Sequence, residues 1–248
     1  MSIIGGKYSS LGIEISDRNL RLVQLKRKGR KAKIQALNQK RLPPGIVENG
    51  EINNKEKTKQ YLQTLCQNPF FGKIKSDKAV TSLPDSRSFI KLVTVEKSLN
   101  DLSEAVETEI EKNIPFRLHK VYFDWQIIEE YQDSYSILFG ACPKVISDIH
   151  YDVLASLGFK VEGVEAGAVA MTRSLLKEDP FIKERKDHNT YLIIYLGESK
   201  TTFVIYSRNS ILFTMDIDAA DKDVTEKISD ELGVTNKEAE KKKKEYSK

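Results

Sequence analysis

Two short polar turns hold the side chains with the greatest capacity for chemistry in this chain. The first interrupts an alternating stretch: Leu11, Ile13 and Ile15 alternate with Gly12, Glu14 and Ser16, Asp17-Arg18-Asn19 follows, and Leu20, Leu22, Val23 and Leu25 resume an apolar run that includes Arg21. Alternation about a polar turn is the pattern of a β-hairpin. Asn and Asp tolerate the left-handed backbone of tight turns, and amides and hydroxyls gathered there can hold an anion. The second turn region, Thr190 to Ile217, repeats the design: a strand, the turn Gly197-Glu198-Ser199-Lys200 followed by Thr201 and Thr202, a strand, the turn Ser207-Arg208-Asn209, and a third strand. Two hairpins of one kind, so far apart, predict two related half-domains facing one another.

Composition narrows what such turns can serve. A chain of 248 residues, 40% of them hydrophobic, can bury a sizeable core as one large or two modest domains. The net charge of +4 is small beside 31% charged residues, and no basic stripe is interleaved with aromatics, which argues against nucleic acid as a partner. Cys66 and Cys142 are too few and too far apart for a disulfide framework or a zinc site, and His119, His150 and His188 lack ligand spacing, so no metal ligands are expected. The thiols read as buried side chains in a reducing cytosol. With no signal peptide and no apolar run of membrane-spanning length, any membrane association is expected to pass through a partner. The basic turn from Lys26 to Lys33 reads first as a solvated face, with membrane-surface contact as the lesser alternative.

The elements that must position the two turns can be read in order. A third strand from Ile34 to about Leu42 ends at Pro43-Pro44-Gly45. A helix begins near Asn53, because Asn53-x-x-Glu56 has the form of a capping box and Tyr61, Leu62, Leu65 and Cys66 share one helical face; Asn68-Pro69 stops it. Lys78 to Leu83 reads as a further strand. From Ser88 to about Val164 the pattern predicts an inserted α+β subdomain: a strand from Phe89 to Val95, a helix capped by Ser98 with Asp101, strands from Val121 to Ile128 and Tyr135 to Ala141, a helix from about Lys144, and a last strand from Lys160 to Val164. The first of those helices carries the stripe Leu102, Val106, Ile110, Ile114 and ends at Pro115; the second turns Ile149, Val153, Leu154 and Leu157 inward and stops at Gly158. The single Trp125 reads as packing within this subdomain, with a partner contact as the alternative. A small-residue helix at Ala166 to Met171, a charged linker from Lys177 to Asn189, a helix from Val224 to Leu232 ended by Gly233, and a helix capped by Thr235-x-x-Glu238 complete the chain.

The hairpin LGIEISDRNLRLVQL, together with RLPPGIVENGEI at 41 to 52, SLPDSRSFIKLVTV at 82 to 95, LSEAVETEIEKNIPF at 102 to 116 and VEGVEAGAVAMTR at 161 to 173, resembles the PilM family of type IV pilus assembly proteins over nearly the whole chain. The resemblance implies an α/β, actin-like (ribonuclease-H-like) fold. Residues 1–84 plus 165–180 would form the first half-domain, 85–164 the inserted α+β subdomain, and 188–248 the start of a second half-domain. The chain stops before the further small subdomain and Gly-rich nucleoside loop that such a fold uses, so a C-terminally truncated second half-domain is expected.

The resemblance also implies a cofactor, ATP with magnesium, between the two turns, at Glu14, Ser16, Asn19, Arg21, Gly197, Ser199, Thr201 and Thr202. The family pattern is altered here. Glu14 stands for an Asp, Ser16 for a Gly, Asp17 and Arg18 for two serines, Arg21 for a Lys, Tyr195 for an acid, and Ala220-Asp221 for a Gly-Gly pair. An acid at position 17 would repel phosphate, so the expectation is a degraded nucleotide site, no catalytic residue and no enzyme activity. By the same resemblance, the chain is a cytoplasmic scaffold peripheral to the inner membrane. It would bind the cytoplasmic N-terminal tail of a PilN-like membrane protein in a cleft between the first half-domain and the insert, near Leu83, Phe89, Ile114, Phe116 and Trp125, and could also associate as a homo-oligomer. The alternatives are the cytoplasmic actin-like component of a type II secretion platform, a cell-division adaptor, or an actin-like ATPase.

Overall fold

The computed structural model describes residues 8–29, 31–97, 101–176, 189–208 and 210–246. The first turn lies in a hairpin of β1 (Leu11–Ile15) and β2 (Asn19–Lys28), antiparallel, with Ile13 opposite Leu22 and Glu14 opposite Arg21. β3 (Lys31–Arg41) continues antiparallel to β2. A small ribbon of β4 (Val47–Glu48) and β5 (Glu51–Ile52) leads to α1 (Lys55–Gln67), after which β6 (Phe71–Gly72) pairs with β3 and β7 (Lys78–Leu83) runs parallel to β1. The cap of α1 is Asn54, one residue beyond the expected Asn53: its side chain accepts the Lys57 N–H at 2.9 Å, whereas Asn53 Nδ2 donates to Glu48 at 3.1 Å.

The insert consists of β8 (Phe89–Glu96), α2 (Leu102–Asn113), β9 (Val121–Glu130) and β10 (Ser134–Pro143), in the sheet order β8-β10-β9. Val106 and Ile110 of α2 bury against Val93, Ile137 and Phe139 as the apolar stripe requires. The helix is capped by Asp101, whose Oδ1 accepts the Ser103 N–H at 2.8 Å; Ser98, the expected cap, lies outside the described residues.

α3 (Lys144–Ala155) and β11 (Lys160–Ala166) correct the expected boundary of the insert. β11 pairs parallel with β7, and Val153 and Leu154 of α3 bury with Leu11, Ile13, Leu20 and Leu62, so both elements build the first sheet and its core. A parallel strand finds its partner through a crossover, and its own residues do not say which sheet it joins. Gly158 supplies the stop between them at a φ of 86°. The first sheet thus has the order β11-β7-β1-β2-β3-β6.

α4 (Gly167–Leu175) follows, and most of the charged linker lies outside the described residues. β12 (Tyr191–Leu196), β13 (Thr201–Ser207) and β14 (Ser210–Ile217) make an antiparallel sheet in sequence order. One face of it, with Ile193, Val204, Tyr206 and Ile211, packs on Ile90 of the insert and Ala168 of α4. The opposite face leaves Leu192, Ile194, Phe213 and Met215 exposed. α5 (Asp221–Leu232) starts three residues before the expected Val224 and ends at Gly233, where φ is 61°. α6 (Asn236–Tyr246) has the expected cap, with Glu238 accepting the Thr235 N–H at 3.0 Å and Thr235 Oγ1 accepting the Glu238 N–H at 3.3 Å.

Candidate functional site

The β1–β2 turn and the β12–β13 turn face one another across a cavity of about 660 Å³. Glu14, Ser16, Asn19, Arg21, Gly197, Ser199 and Thr202 all line it. Thr201 does not. Successive strand residues point to opposite faces, and the Thr201 hydroxyl instead donates to the Ala219 carbonyl at 2.5 Å.

The polar groups of the turns are engaged with one another. Arg21 Nη1 lies 2.6 Å from Glu14 Oε1 and donates to the Tyr195 hydroxyl at 3.4 Å, joining the two halves. Burial opposes the Arg21 cation, but its ion pair and hydrogen bond with Glu14 outweigh it and raise the pKa. Asp17 also lines the cavity, with its carboxylate accepting the Asn49 and Gly50 N–H groups at 3.1 and 2.9 Å. Ser16 Oγ donates to the Asn19 carbonyl at 3.0 Å, and Thr202 Oγ1 donates to Asp216 at 2.7 Å.

Glu198 occupies the centre of this arrangement. Its carboxylate accepts Asn19 Nδ2 at 2.9 Å, is ion-paired with Arg41, and lies 3.5 Å from Arg18 Nε. Two guanidinium groups and an amide converging on one carboxylate form an anion site whose anion belongs to the chain itself.

Asp85 also lines the cavity, and it was not foreseen from the sequence. Oδ1 accepts the Ala168 N–H at 2.7 Å at the start of α4, where the helix presents unpaired N–H groups. A Cβ on Gly167 would lie 2.8 Å from Asp85 Oδ2, so glycine is what lets the helix end approach the acid. Burial pushes the Asp85 carboxyl up to about 6 against the pull of the Ala168 N–H, with Asp216 and Glu14 adding repulsion. Asp85, Asp216 and Glu198 are among the polar residues that line the cavity beyond those expected, and Arg41 reaches Glu198 from outside it. Glu198 stood in the turn itself, but the other three converge only through tertiary structure. Among the described residues, no group of three or more His, Cys, Asp or Glu side chains could hold a metal ion.

The residues expected at a partner cleft divide in two. Leu83 and Ile114 are buried in packed clusters, Leu83 with Cys142 and Ile146, and Ile114 with Val106 and Ile110. Each is 7% exposed, and Leu83 also lines the cavity between the two turns. Phe89 and Phe116 form an edge-to-face pair with centroids 5.9 Å apart, and Phe116 remains 39% exposed. Trp125 packs part-buried against the insert core.

Two half-domain sheets meeting at a pair of facing turns, with an α+β insert between β7 and α3 of the first, define an actin-like fold, and solved structures of that fold superpose on the chain. A family model described as "Type IV pilus assembly protein PilM" matches residues 12–247, and the chain belongs to that family. A PilM-PilN type IV pilus biogenesis complex superposes with a TM-score of 0.75 at 22% identity, covering 96% of this chain and 69% of that one. The ethanolamine utilization protein EutJ from Carboxydothermus hydrogenoformans superposes with a TM-score of 0.57 at 13% identity, covering 99% of this chain and 64% of that one.

Proposed function

We propose that the chain is a non-enzymatic adaptor in a type IV pilus assembly platform, held at the inner membrane by the cytoplasmic N-terminal tail of a PilN-like protein. Its family is that of pilus assembly, and one solved relative is a complex of PilM with PilN. The observation that carries the non-enzymatic part is Glu198. Arg18, Arg41 and Asn19, the donors best placed to take a phosphate, are engaged by that carboxylate, while Glu14 is paired with Arg21. A triphosphate at these donors would have to displace the Glu198 carboxylate from them.

A tail of this kind, unfolded when free, can bind as an extended segment that places apolar side chains against exposed aromatics. The Phe89–Phe116 pair offers such a contact. A pull-down with the N-terminal tail peptide of a PilN-like protein tests the reading. Retention of the full chain, reduced by Phe116→Ala, is expected; no retention of the parent chain would overturn the adaptor assignment.

A further inference from the structure

The insert sheet has the order β8-β10-β9, so β8 and β9 are its outer strands. β8 lies against the second half-domain, where its Ile90 packs with Ile193, Val204 and Ile211. β9 is paired along one side by β10 and ends the sheet. Its backbone shows which groups face the open side. The Trp125 N–H donates to the carboxylate of its own neighbour, Asp124, at 2.9 Å and not to β10. In an antiparallel pair, alternate residues turn both backbone groups towards the partner strand and the residues between them turn both away. Phe123, Trp125 and Ile127 therefore present their N–H and C=O groups at the edge, up to the shift of register that follows Ile127.

The side chains along this edge divide cleanly between the two faces of the sheet. Phe123, Trp125 and Ile127 stand opposite Ala141, Phe139 and Ile137, which belong to the insert core, so all three share the face that α2 covers. Phe123 and Trp125 are half-buried there, and Ile127 is 46% exposed. Asp124 and Gln126 are exposed on the other face. The edge is thereby complementary to itself. A two-fold axis at Trp125 sets the strand antiparallel to a second copy, with Trp125 meeting Trp125, Phe123 meeting Ile127 and Asp124 meeting Gln126. Apolar side chains then meet apolar ones. When the Trp125 N–H bonds across the axis it releases the Asp124 carboxylate, and the Gln126 amide of the other copy can donate to it. Exposed Lys120 precedes the strand while exposed Glu129 and Glu130 end it, so the same antiparallel arrangement brings opposite charges together beyond the apolar row.

We propose that β9 pairs edge to edge with β9 of a second copy of this chain, joining the two insert sheets into one. An unpaired strand edge is a template for another strand, and an isologous contact about a two-fold axis needs a surface that matches itself, as residues 123 to 127 do. An unrelated extended peptide would use the same backbone groups, but it gives no reason for the match of Asp124 with Gln126 or of Phe123 with Ile127. The other outer strands are less suited: β11 is bulged between Val161 and Gly163 with Lys160 and Glu162 engaged in ion pairs, and β12 borders the cavity between the turns. The inference stands apart from the tail-binding reading, since Phe89 lies on β8 at the opposite side of the sheet.

Sedimentation velocity of the full chain across the micromolar range tests the proposal, read beside the fluorescence of Trp125, the single tryptophan. A reversible dimer is expected, with emission moving to shorter wavelength in step with the rise in mass as the two indoles leave water. Gln126→Glu sets a second carboxylate opposite Asp124 and should weaken the dimer about tenfold, since a cross-strand pair contributes up to about a fivefold factor and the pair occurs twice about the axis. Adding Asp124→Lys to that variant restores opposite charges and should restore the dimer. Both positions are exposed, and thermal unfolding of each variant separates lost association from lost structure. A monomer at every concentration, a rise in mass without a change in Trp125 emission, or a dimer that folded Gln126→Glu leaves undiminished would overturn the proposal. Failure of Asp124→Lys to restore association would overturn it as well, because the pairing at Trp125 requires those two positions to meet.

Discussion

Asn19 Nδ2 donates to Glu198 Oε2 at 2.9 Å, joining residues 179 positions apart at the tips of two hairpins. With Arg18 and Arg41 on the same carboxylate, this contact makes Glu198 a latch between the half-domains. Glu198→Ala removes the chain's own anion and leaves two guanidinium groups and an amide unsatisfied. Phosphate or ATP affinity, measured by titration calorimetry, should then rise about tenfold over the parent, the scale of a hydrogen bond to a charged group. The stability cost should stay near 1 kcal/mol, because the pairs are partly solvated. Submicromolar ATP binding by the parent chain would contradict the latch.

Asp85 and His150 set opposing pH dependences. Burial raises the Asp85 carboxyl to about 6, so between its ordinary value near 4 and pH 6 the folded state holds more protons than the unfolded one, and stability falls as pH rises. His150 is fully buried, and burial lowers it to about 4 against the weaker pull of the Gly50 backbone. Between pH 4 and the ordinary histidine value the unfolded state therefore holds more protons, and stability increases with pH. The two slopes largely cancel in the parent. Asp85→Asn keeps an acceptor for the Ala168 N–H and removes one slope, so denaturant unfolding should show stability rising by on the order of 3 kcal/mol from pH 4 to 6.5. A flat profile in that variant would refute the pairing.

Gly50 holds the loop opposite the first turn. Its φ is 76°, its N–H donates to Asp17 at 2.9 Å, and a Cβ there would lie 2.4 Å from the Pro84 Cβ. Gly50→Ala adds backbone strain and a collision at the strand end that leads to Asp85. A loss of more than about 2 kcal/mol in chemical denaturation is expected; Gly45→Ala, also at positive φ but with open space around its Cβ, should cost less.

How far these features were legible depends on whether they are local. Both hairpins followed from alternation, and the Thr235 and Glu238 cap from a four-residue pattern. Adjacent asparagines at 53 and 54 can each cap a helix, and only tertiary contact with Glu48 takes Asn53 out of that role. α5 was read late because Asp221, Lys222 and Asp223 have no apolar period; the Asp223 carboxylate secures the start by accepting the Ala220 N–H at 2.7 Å. β11 was placed in the wrong sheet because its parallel partner is remote. In the site, the two turns could be read, yet Thr201 and Thr202 could not both face the cavity once strand parity is applied. Asp85 and Asp216 reach it from two other segments, and Arg41 reaches Glu198 from a third, which no spacing along the chain records.

Hydrogen exchange should separate the two sheets. β1 has neighbours on both sides in β2 and β7, and its Leu11, Ile13 and Ile15 are buried. β12 is an edge strand with Leu192, Ile194 and Leu196 exposed. An edge with an open apolar face opens more readily than a strand paired on both sides. Amides of β12 should therefore exchange at least about tenfold faster than those of β1. Equal protection would mean that the second sheet is as firmly covered as the first.

Ile114 and Phe116 separate structural from partner-binding roles two residues apart. Ile114 is buried with Val106 and Ile110, so Ile114→Ala leaves a cavity and should cost about 2–4 kcal/mol in unfolding free energy. Phe116 touches Phe89 by its edge and is 39% exposed, so Phe116→Ala should cost at most about 1.5 kcal/mol. The order reverses for the tail peptide. If the Phe89–Phe116 pair receives an apolar side chain at exposed Phe116, Phe116→Ala should weaken peptide binding about tenfold or more, as loss of an aromatic anchor does. Ile114→Ala, measured at a temperature where it remains folded, should bind nearly as the parent does. Fluorescence anisotropy of the labelled peptide reads both affinities, and a larger loss from Ile114→Ala than from Phe116→Ala would move the contact away from the aromatic pair.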